Sequence, residues 1–312
     1  MSDDRSVAVV TGAAGFIGCH LSARLVEQGW AVRGLDNERS GDWRRLTVPV
    51  ERVERDLTSL SDDELSSLCE GADALFHLAA EKHNSSKTTP QRTIEVNVVA
   101  TQRLFDAAAR AGVRKAVFTS SLYAYGRRGP ERMAERDVPA PTTVYGASKV
   151  AGEHLLRVAG EANGLGWTVA RLFFIYGPRQ FAEGGYKSVI VKNFERIRRG
   201  ESPVVFGDGE QALDYVYVDD CIDALTTMLD PKHDGCTYNV ASGRAISVND
   251  LTKRMLDSSG SDLEPSSGPA DETAGTIRRG SAELAAERLG WRAETPIDDG
   301  LGRVWAWLQA ET

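Results

Sequence analysis

Tyr145 and Lys149 are four residues apart, a spacing that places their side chains on one face of a helix, one turn from each other. An ammonium held beside a phenol favours the phenolate and lowers its pKa towards working pH. A phenol tuned in this way is suited to act as general acid or base on an alcohol or ketone. Ser120 and Ser121 end a segment typical of a strand, where a hydroxyl is able to hydrogen-bond the same substrate oxygen. Together these residues predict a catalytic site.

A glycine-rich segment near the N-terminus has the spacing of a nucleotide-binding turn. Gly12, Gly15 and Gly18 follow the predicted strand VAVV, and apolar residues then recur at helical spacing. A strand, a glycine turn and a helix present backbone N–H groups and a positive helix end to a pyrophosphate. Asp36 ends the next predicted strand, where a carboxylate accepts hydrogen bonds from an adenosine ribose and repels the additional phosphate of NADP. The pattern predicts a dinucleotide site that prefers NAD.

Strands alternate with helical patterns along most of the chain. After the first strand, further strands are predicted at 30–36, 50–56, 74–80, 115–121, 168–175 and 237–241, and helices at 60–69 and 90–111. Such alternation is typical of parallel strands joined by right-handed crossovers. We therefore predict an α/β fold, a doubly wound parallel sheet of the Rossmann type with helices on both faces.

The alternation ends near residue 181, where segments rich in Gly, Pro and Ser begin to separate short helices. This change predicts a smaller C-terminal α/β domain that covers the substrate, with a surface loop at 258–270. The predicted domains are listed by their ranges: an NAD-binding domain of residues 1–170 with about 205–243, and a substrate-binding domain of about 171–204 with 244–312.

Composition excludes several other classes of protein. The chain has 312 residues and a net charge of −8, which gives no general attraction to nucleic acid or anionic lipid. Its four cysteines lack CxxC or paired spacing, and its histidines lack the spacing of metal ligands. No apolar run approaches membrane-spanning length, and the N-terminus lacks the plan of a signal peptide. We expect a cytoplasmic protein with a small-molecule substrate, no metal, no nucleic acid and no membrane partner.

Ordered motifs extend over essentially the whole chain. They are TGAAGFIG, LDN at 35–37, RDL at 55–57, HLAA at 77–80, VNVVAT at 96–101, TSSLYAYG at 119–126, YGASK at 145–149, RLFFIYGPR at 171–179, FGDGEQALDYVYVDD at 206–220, NVASG at 239–243 and LGW at 289–291. The chain thereby resembles extended short-chain dehydrogenases/reductases of the NAD-dependent sugar epimerase/dehydratase group. In such enzymes a tyrosine takes a proton from a sugar hydroxyl while NAD takes the hydride, which the bound cofactor often returns within the same cycle.

The resemblance implies roles for individual residues. Tyr145 is the expected base, Lys149 its pKa-tuning partner and ribose anchor, and Ser121 the hydroxyl that positions the substrate. With the glycine turn and the acidic strand end, it gives these cofactor-binding residues: Gly12, Gly15, Phe16, Ile17, Gly18, Asp36, Asn37, Ser40, Asp56, Leu57, Leu78, Ala79, Ala80, Lys82, Asn97, Thr119, Tyr145 and Lys149. The expected substrate residues are Ser120, Ser121, Tyr123, Phe174, Arg179, Lys187, Leu213, Arg244 and Arg279.

Departures from the family's pattern concern the substrate. The 4,6-dehydratases of the family carry an Asp-Glu pair where this chain has Leu122 and Tyr123, so a dehydratase of that kind is not expected. Phe174 and Leu213 replace an asparagine and an arginine that normally face a nucleotide diphosphate. A charged diphosphate needs donors or cations nearby. Either other residues, Arg278 among the candidates, supply them, or the substrate is not a nucleotide sugar.

Three functions stay open on the sequence. We favour an NAD-dependent nucleotide-sugar epimerase, acting most simply at C4 by transient oxidation of the hydroxyl. The alternative is an NAD-dependent dehydrogenase or ketoreductase acting on a non-nucleotide sugar or a secondary-metabolite alcohol, and a third is a non-catalytic NAD-binding sensor. Helices at about 90–111 and 146–160 resemble those that pair two subunits in this family, so a homodimer is expected by analogy.

Overall fold

The structure is a computed structural model that describes residues 5–126, 131–180, 188–270 and 273–311. Its strands are β1 (Val7–Thr11), β2 (Ala31–Asp36), β3 (Glu51–Glu54), β4 (Ala74–His77), β5 (Lys115–Ser121), β6 (Gly166–Leu172), β7 (Phe174–Tyr176), β8 (Val204–Phe206), β9 (Ala212–Tyr217), β10 (Cys236–Val240), β11 (Ala245–Ser247), β12 (Ser266–Gly268) and β13 (Ile277–Arg278). Its helices are α1 (Phe16–Glu27), α2 (Asp62–Cys69), α3 (His83–Thr88), α4 (Pro90–Ile94), α5 (Thr101–Arg110), α6 (Val144–Asn163), α7 (Val189–Arg198), α8 (Val218–Thr227), α9 (Val248–Ser259) and α10 (Ile297–Ala310).

A seven-stranded parallel sheet forms the centre of the fold, with strand order β10-β6-β5-β4-β1-β2-β3. Every residue of β4 and β5 is buried, as expected for parallel strands with helices on both faces. The chain runs from β1 towards one edge and later returns beside β1 as β4. The carboxyl ends of β1 and β4 therefore flank the crevice where such sheets bind ligands. The predicted doubly wound fold is confirmed.

Two smaller sheets lie in the second half of the chain. One is built on β9, which pairs with β7, β11 and β13, and in the other β8 pairs with β12. The predicted surface loop at 258–270 is wrong in part, because Ser266–Gly268 is β12. The Ser266 N–H donates to the carbonyl of Pro203 at 2.8 Å, and these backbone hydrogen bonds order a segment whose Gly and Ser content indicated a loop.

The predicted sixth strand at 168–175 is two strands in the structure. β6 ends at Leu172, and the Phe173 N–H then donates to the carbonyl of Val240 at 3.1 Å. From Phe174 the backbone pairs instead with β9. Continuous apolar sequence cannot reveal such a change of partner, because both strands are buried. The strands β8 and β9 belong to the smaller sheets although they fall in the predicted NAD-binding segment, and the division into two domains stays a prediction.

The helix predicted at 90–111 is continuous but irregular. A π-helical turn at Glu95–Ala100 joins α4 to α5, and the Thr101 hydroxyl donates to the carbonyl of Val96 at 3.2 Å. Such turns often occur next to functional sites. Here the turn carries Asn97, whose side chain reaches the loop after β4.

Two glycines in helices test how closely α6 packs on the sheet. A Cβ at Gly152 would lie 2.5 Å from Cζ of the buried Phe118, whereas a Cβ at Gly302 in α10 would meet nothing within 4 Å. We expect Gly302→Ala to raise the free energy of unfolding by about 1 kcal/mol through helix propensity. Gly152→Ala should lower it by about 1–3 kcal/mol through overpacking. Urea unfolding measures both values, and equal stabilisation by the two substitutions would contradict the close approach.

Candidate active site

The predicted glycine turn connects β1 to α1 with little space to spare. Gly12 has φ +73°, and a Cβ there would lie 2.9 Å from the backbone nitrogen of Ala79. A Cβ at Gly18 would lie 2.0 Å from the carbonyl oxygen of Gly12. Gly15 caps α1 without a side-chain hydrogen bond, so no side chain covers the N–H groups of the first turn at that cap. Such a bare helix end at a strand end fits a pyrophosphate.

A cavity of about 360 Å³ lies over this turn, at the carboxyl ends of the central strands. Most of the predicted cofactor residues line it. They are Gly12, Gly15, Phe16, Ile17, Gly18, Asp36, Asn37, Ser40, Asp56, Leu57, Leu78, Ala79, Ala80, Lys82 and Thr119. The structure brings these residues together, and their individual roles stay a prediction. We call this space the cofactor cavity.

The carboxylate of Asp36 is fixed at the end of β2. Its two oxygens accept hydrogen bonds from the backbone N–H groups of Ala14 at 3.0 Å and Glu38 at 2.8 Å. Burial raises the pKa of this carboxyl, and the two N–H donors oppose that effect. A Cβ at Gly41 would lie 2.8 Å from the carboxylate, so a side chain there would displace it. The group is placed to accept hydrogen bonds from a ribose in the cofactor cavity.

Asp56 lies at the other side of the cofactor cavity, held by donors from three segments. It accepts hydrogen bonds from Asn37 Nδ2 at 2.7 Å and from the Thr58 N–H at 2.9 Å, and it pairs with Arg92. Burial alone raises the pKa of Asp56, but these hydrogen bonds and the Arg92 charge lower it to about 2. Arg92 also lines the cavity and was not predicted, because nothing in the sequence connects α4 with Asp56.

A second cavity of about 370 Å³ adjoins the first. We call it the substrate cavity. The wall shared by the two cavities consists of Phe16, Ile17, Leu78, Ala80, Lys82, Thr119 and Gln180. The substrate cavity is also lined by predicted residues, namely Ser120, Ser121, Tyr145, Lys149, Phe174 and Leu213.

The predicted catalytic residues meet in the wall of the substrate cavity, beside Thr119 of the shared wall. Ser121 ends β5 and hydrogen-bonds Tyr145 in the first turn of α6. Lys149 Nζ donates to the carbonyl of Thr119 at 2.8 Å and lies 5.8 Å from the centroid of the Tyr145 ring. A hydroxyl, a phenol and an amine therefore border one space, as general acid–base chemistry on an alcohol requires.

The pKa values differ from the sequence-based expectation. Burial raises the pKa of Tyr145 to about 12, against the opposing hydrogen bond with Ser121. Burial also lowers the pKa of Lys149 to about 7, against the opposing charge of Glu153. The predicted lowering of the Tyr145 pKa is not found, because desolvation disfavours both charged forms and outweighs the Ser121 hydrogen bond at Tyr145 and the Glu153 charge at Lys149.

Asn97 lies behind the cofactor cavity rather than in its wall. Its Oδ1 accepts the N–H of Glu81 at 2.7 Å, and its Nδ2 lies 3.0 Å from both the Glu81 carbonyl oxygen and Ser148 Oγ. Asn97 is thus an expected cofactor-binding residue that does not line the cofactor cavity, and its role stays a prediction. Its side-chain amide hydrogen-bonds the backbone of the loop after β4 and Ser148 of α6.

Several predicted substrate residues lie outside the walls of both cavities, namely Tyr123, Arg179, Arg244 and Arg279. Tyr123 still belongs to the surroundings of the catalytic tyrosine, because its ring lies 5.7 Å from that of Tyr145 and stacks on His83 at 4.3 Å. Arg278, which pattern comparison left as one candidate among several, lies 5.0 Å from the Tyr123 ring. The motif position alone did not indicate which way these side chains point.

The three predicted substrate arginines that lie outside the cavities have other surroundings. Arg179 has φ +64° and lies beside Cys19 and His20. Arg244 is exposed between β10 and β11, and the backbone carbonyl of Arg279 accepts the N–H of Met133 at 2.9 Å. Lys187 lies outside the described residues.

Gln180 is a cavity residue that sequence reasoning missed. Its Nε2 donates to the carbonyl of Ile175 at 2.9 Å, and its Oε1 accepts from Ser188 Oγ at 3.0 Å. It lines both cavities, and Ser188 lines the substrate cavity at the start of α7. Its position directly after the motif YGPR was the available signal.

Other histidines and helices add no competing site. His77 is buried between the hydroxyls of Thr11 at 2.7 Å and Thr101 at 2.8 Å, and burial lowers its pKa to about 3. Among the described residues, no three His, Cys, Asp or Glu side chains form a group suited to a metal ion. Within the same residues, no helix combines the length and apolar character needed to cross a bilayer.

Comparison with known proteins identifies relatives along nearly the whole chain. The UDP-glucose 4-epimerase of Mycolicibacterium smegmatis is 34% identical over 310 residues, which cover 95% of this chain and 96% of that protein. The crystal structure of a UDP-glucose 4-epimerase with UDP-glucose from Thermotoga maritima has a TM-score of 0.92 at 31% identity, over 98% of this chain and 99% of that one. The UDP-glucose 4-epimerase of Thermus thermophilus in complex with NAD has a TM-score of 0.88 at 28% identity, over 98% and 100%.

The model of one protein family, described as the NAD dependent epimerase/dehydratase family, matches residues 8–241. This match covers most of the chain and includes the glycine turn, Asp36 and the catalytic residues. The predicted family, the fold class and the cofactor NAD are thereby confirmed. The chain belongs to the NAD-dependent epimerase/dehydratase family.

Proposed function

We propose that this protein is a nucleotide-sugar 4-epimerase that oxidises the C4 hydroxyl and re-forms it in the opposite configuration. The observation that carries the proposal is the meeting of Ser121, Tyr145 and Lys149 in the wall of the substrate cavity, which adjoins the cofactor cavity. The relatives named UDP-glucose 4-epimerases support it, because they match along nearly the whole chain.

The catalytic residues divide the proton chemistry among them. Tyr145 in its phenolate form takes the proton of the sugar hydroxyl, and Ser121 hydrogen-bonds the same oxygen. Lys149 in its charged form stabilises the phenolate. NAD, when bound, would supply the acceptor and the donor of the hydride at the carbinol carbon. Tyr145 then gives the proton back to the oxygen of the ketone, so that no net oxidation remains.

The residues of the cofactor cavity fit a dinucleotide. The N–H groups at the start of α1 would hold its pyrophosphate, and the Asp36 carboxylate would accept the hydroxyls of its adenosine ribose. Lys149 would hold the second ribose from the substrate cavity, next to Thr119 of the shared wall. The glycine turn and Asp36 line the cofactor cavity itself, as their proposed roles require.

The wall of the substrate cavity would allow the sugar ring to turn and present its other face without leaving the cavity. Phe174 on β7 and Leu213 on β9 give this wall an apolar character. An apolar wall makes no directional hydrogen bonds that a ketone intermediate would need to break in order to present its other face. Among the described residues that line the substrate cavity, the basic ones are Lys82 and Lys149, which line it together with Ser121 and Tyr145.

The same wall motivates the alternative, a dehydrogenase or ketoreductase for a substrate without a diphosphate. UDP and dTDP, added separately to the NAD-loaded protein in a thermal-shift assay, distinguish the two functions. Stabilisation by either nucleotide supports the epimerase, whereas no stabilisation by any nucleoside diphosphate supports the alternative.

The wild-type protein with NAD should convert UDP-glucose, or another member of a UDP- and dTDP-sugar panel, into a mixture with its C4 epimer. Proton NMR of the sugar measures the ratio, and absorbance of NADH should stay constant on average. The phenolate form of Tyr145 becomes more populated as the pH rises, but Lys149 loses its stabilising charge above about pH 7, so kcat/KM should increase from about pH 5 to about pH 7 and then level off.

Tyr145→Phe is the matched control for this reaction. It removes the proton acceptor and keeps the ring, so kcat should fall about a thousandfold and the pH dependence should disappear. Steady accumulation of NADH without an epimer would contradict the proposed reaction. Activity of the Phe variant equal to that of the wild type would remove Tyr145 from the mechanism and favour the non-catalytic sensor.

The choice of NAD over NADP is tested at Asp36. Asp36→Asn keeps the shape but removes the negative charge, so the Kd of NAD should rise about tenfold to a hundredfold. The Kd of NADP should fall, because the repulsion of its additional phosphate is lost. Calorimetry measures both, with Glu51→Gln as control, since Glu51 pairs with Arg33 at the surface. Unchanged affinities in the Asp36 variant would refute its role.

We also propose a homodimer formed by α4, α5 and α6. Apolar side chains are exposed on these helices and on the turn between α4 and α5, with 42% of Ile94, 52% of Val99 and 59% of Val158 accessible. Val99→Glu combined with Val158→Glu should dissociate the dimer, as measured by light scattering after gel filtration. Val138→Glu is the control, because Val138 is 78% exposed and belongs to none of these helices. A wild-type monomer would contradict the proposal.

The proposed location is the cytoplasm. Cys19, Cys69, Cys221 and Cys236 are free thiols, and the first three are buried. Free thiols are typical of proteins from reducing compartments.

A further inference from the structure

A row of buried polar side chains crosses three strands behind the catalytic residues. Ser120 on β5 is in register with Arg171 on β6, which is in register with Asn239 on β10. All three side chains are buried. Polar groups at such depth need fixed partners, because each unsatisfied group costs free energy. The partner at the catalytic end of the row is Glu153.

Glu153 joins this row to the catalytic helix. It lies on α6 one turn after Lys149 and is itself buried. Its carboxylate accepts two hydrogen bonds from Arg171, from Nε at 2.9 Å and from Nη2 at 2.7 Å, and a third from Ser120 Oγ. Bidentate pairing of this kind fixes orientation as well as distance.

Two neighbouring residues of β5 are therefore tied to two successive turns of α6. Lys149 donates to the carbonyl of Thr119 at 2.8 Å, and Ser120 donates to Glu153. Ser121 is the next residue of the strand, and Tyr145 lies one turn earlier on the helix. The two ties fix the strand end against the helix in both translation and rotation. The distance between Ser121 and Tyr145 follows from them.

The far end of the row is held as firmly. The guanidinium of Arg171 lies 4.7 Å from the centroid of the Tyr125 ring, and the Tyr125 hydroxyl donates to Asn239 Oδ1 at 2.7 Å. Asn239 Nδ2 donates to the carbonyl of Met133 at 2.9 Å. Arg171 is thereby confined between an aromatic ring and the carboxylate, and it presents Glu153 in one orientation.

We propose that Glu153 is a positioning residue of the active site, which clasps Ser120 and Arg171 so that Ser121 and Lys149 face Tyr145 correctly. The expected effect of Glu153 on kcat rests on the proposed function, whereas its effect on the position and charge of Lys149 does not. A purely structural role is the competing explanation, but a buried ion pair contributes little stability beyond what apolar residues of the same volume supply. Because the Glu153 carboxylate lies one turn from Lys149, it also affects the charge of that lysine.

That further effect concerns the charge of Lys149. The carboxylate of Glu153 raises the pKa of Lys149 against the lowering caused by burial. The other titratable groups around Lys149 are Tyr145 on α6 and His77 on β4, and burial keeps His77 neutral. Loss of the Glu153 charge should therefore leave Lys149 less often protonated at neutral pH, and the phenolate of Tyr145 less stabilised.

The test compares the wild type with Glu153→Gln and Glu161→Gln in the full-length protein. Glu161 is the matched control, because it lies on the same helix in an exposed pair with Arg157. The chain has eight lysines, so ¹³C labelling at lysine Cε resolves them by NMR, and Lys149→Arg assigns the signal of Lys149. In Glu153→Gln the proton affinity of Lys149 should fall about tenfold, and kcat should fall about a hundredfold with little change in KM.

A second variant separates positioning from stability. Glu153→Gln leaves Arg171 buried without its partner, which destabilises the fold. Glu153→Gln with Arg171→Met removes both charges, and should recover the melting temperature but neither the Lys149 titration nor kcat. If Glu153→Gln does not fold, the double variant is measured in its place. Recovery of all three quantities in it, or a Lys149 titration in Glu153→Gln equal to that of Glu161→Gln, would overturn the proposal.

The NMR titration needs no substrate, so it separates this inference from the proposed function. If the wild type does not epimerise any nucleotide sugar but the Lys149 titration still responds to Glu153→Gln alone, the proposed function fails and the positioning role stands. If the wild type epimerises a nucleotide sugar but Glu153→Gln changes neither the Lys149 titration nor kcat, the positioning role fails and the proposed function stands.

Discussion

The hydrogen bond from Lys149 to the carbonyl of Thr119 is the contact on which the rest of the site depends. It ties the end of a fully buried parallel strand to the helix that carries the phenol, so the central sheet fixes the position of Tyr145. The close approach needed for this contact is provided by Gly152, which lets α6 rest on the ring of Phe118. A side chain at that position would push the amine away from the strand end, and the phenol would move with it.

Burial and charge act against each other throughout the site, and the outcome differs from group to group. At Tyr145 and Lys149 burial prevails and both neutral forms are favoured. At Asp56, three hydrogen-bond donors and an arginine outweigh burial, and the carboxylate is favoured. The difference follows from the number of partners, because a group with several fixed donors regains what it loses in hydration. The pKa of Lys149 is left at about 7, so that a small change in its surroundings changes its charge at neutral pH, whereas Tyr145 stays a neutral phenol there.

Local spacing was sufficient to predict much of this site. The glycine turn, Asp36 and the pair Tyr145–Lys149 are each specified by residues close together in sequence, at strand ends or on one helix face. Arg92, Gln180 and Glu153 are different, because each acts on a residue from another element and no local pattern indicates that partner. The predicted substrate arginines lie outside the walls of both cavities for a related reason, since a position in a motif does not fix the direction of a side chain. The change of sheet after Leu172 was hidden by uniformly apolar sequence.

The smaller sheet that carries Phe174 and Leu213 has its own hydrogen bonds, made by β7, β9, β11 and β13 among themselves. The strands that carry the chemistry pair with different neighbours. The wall residues Phe174 and Leu213 and the strand end at Ser121 therefore belong to different sheets, which pack against one shared hydrophobic core. Such a division gives an engineer, or natural variation, a wall that can be rebuilt for a new substrate while the proton-transfer apparatus is left undisturbed.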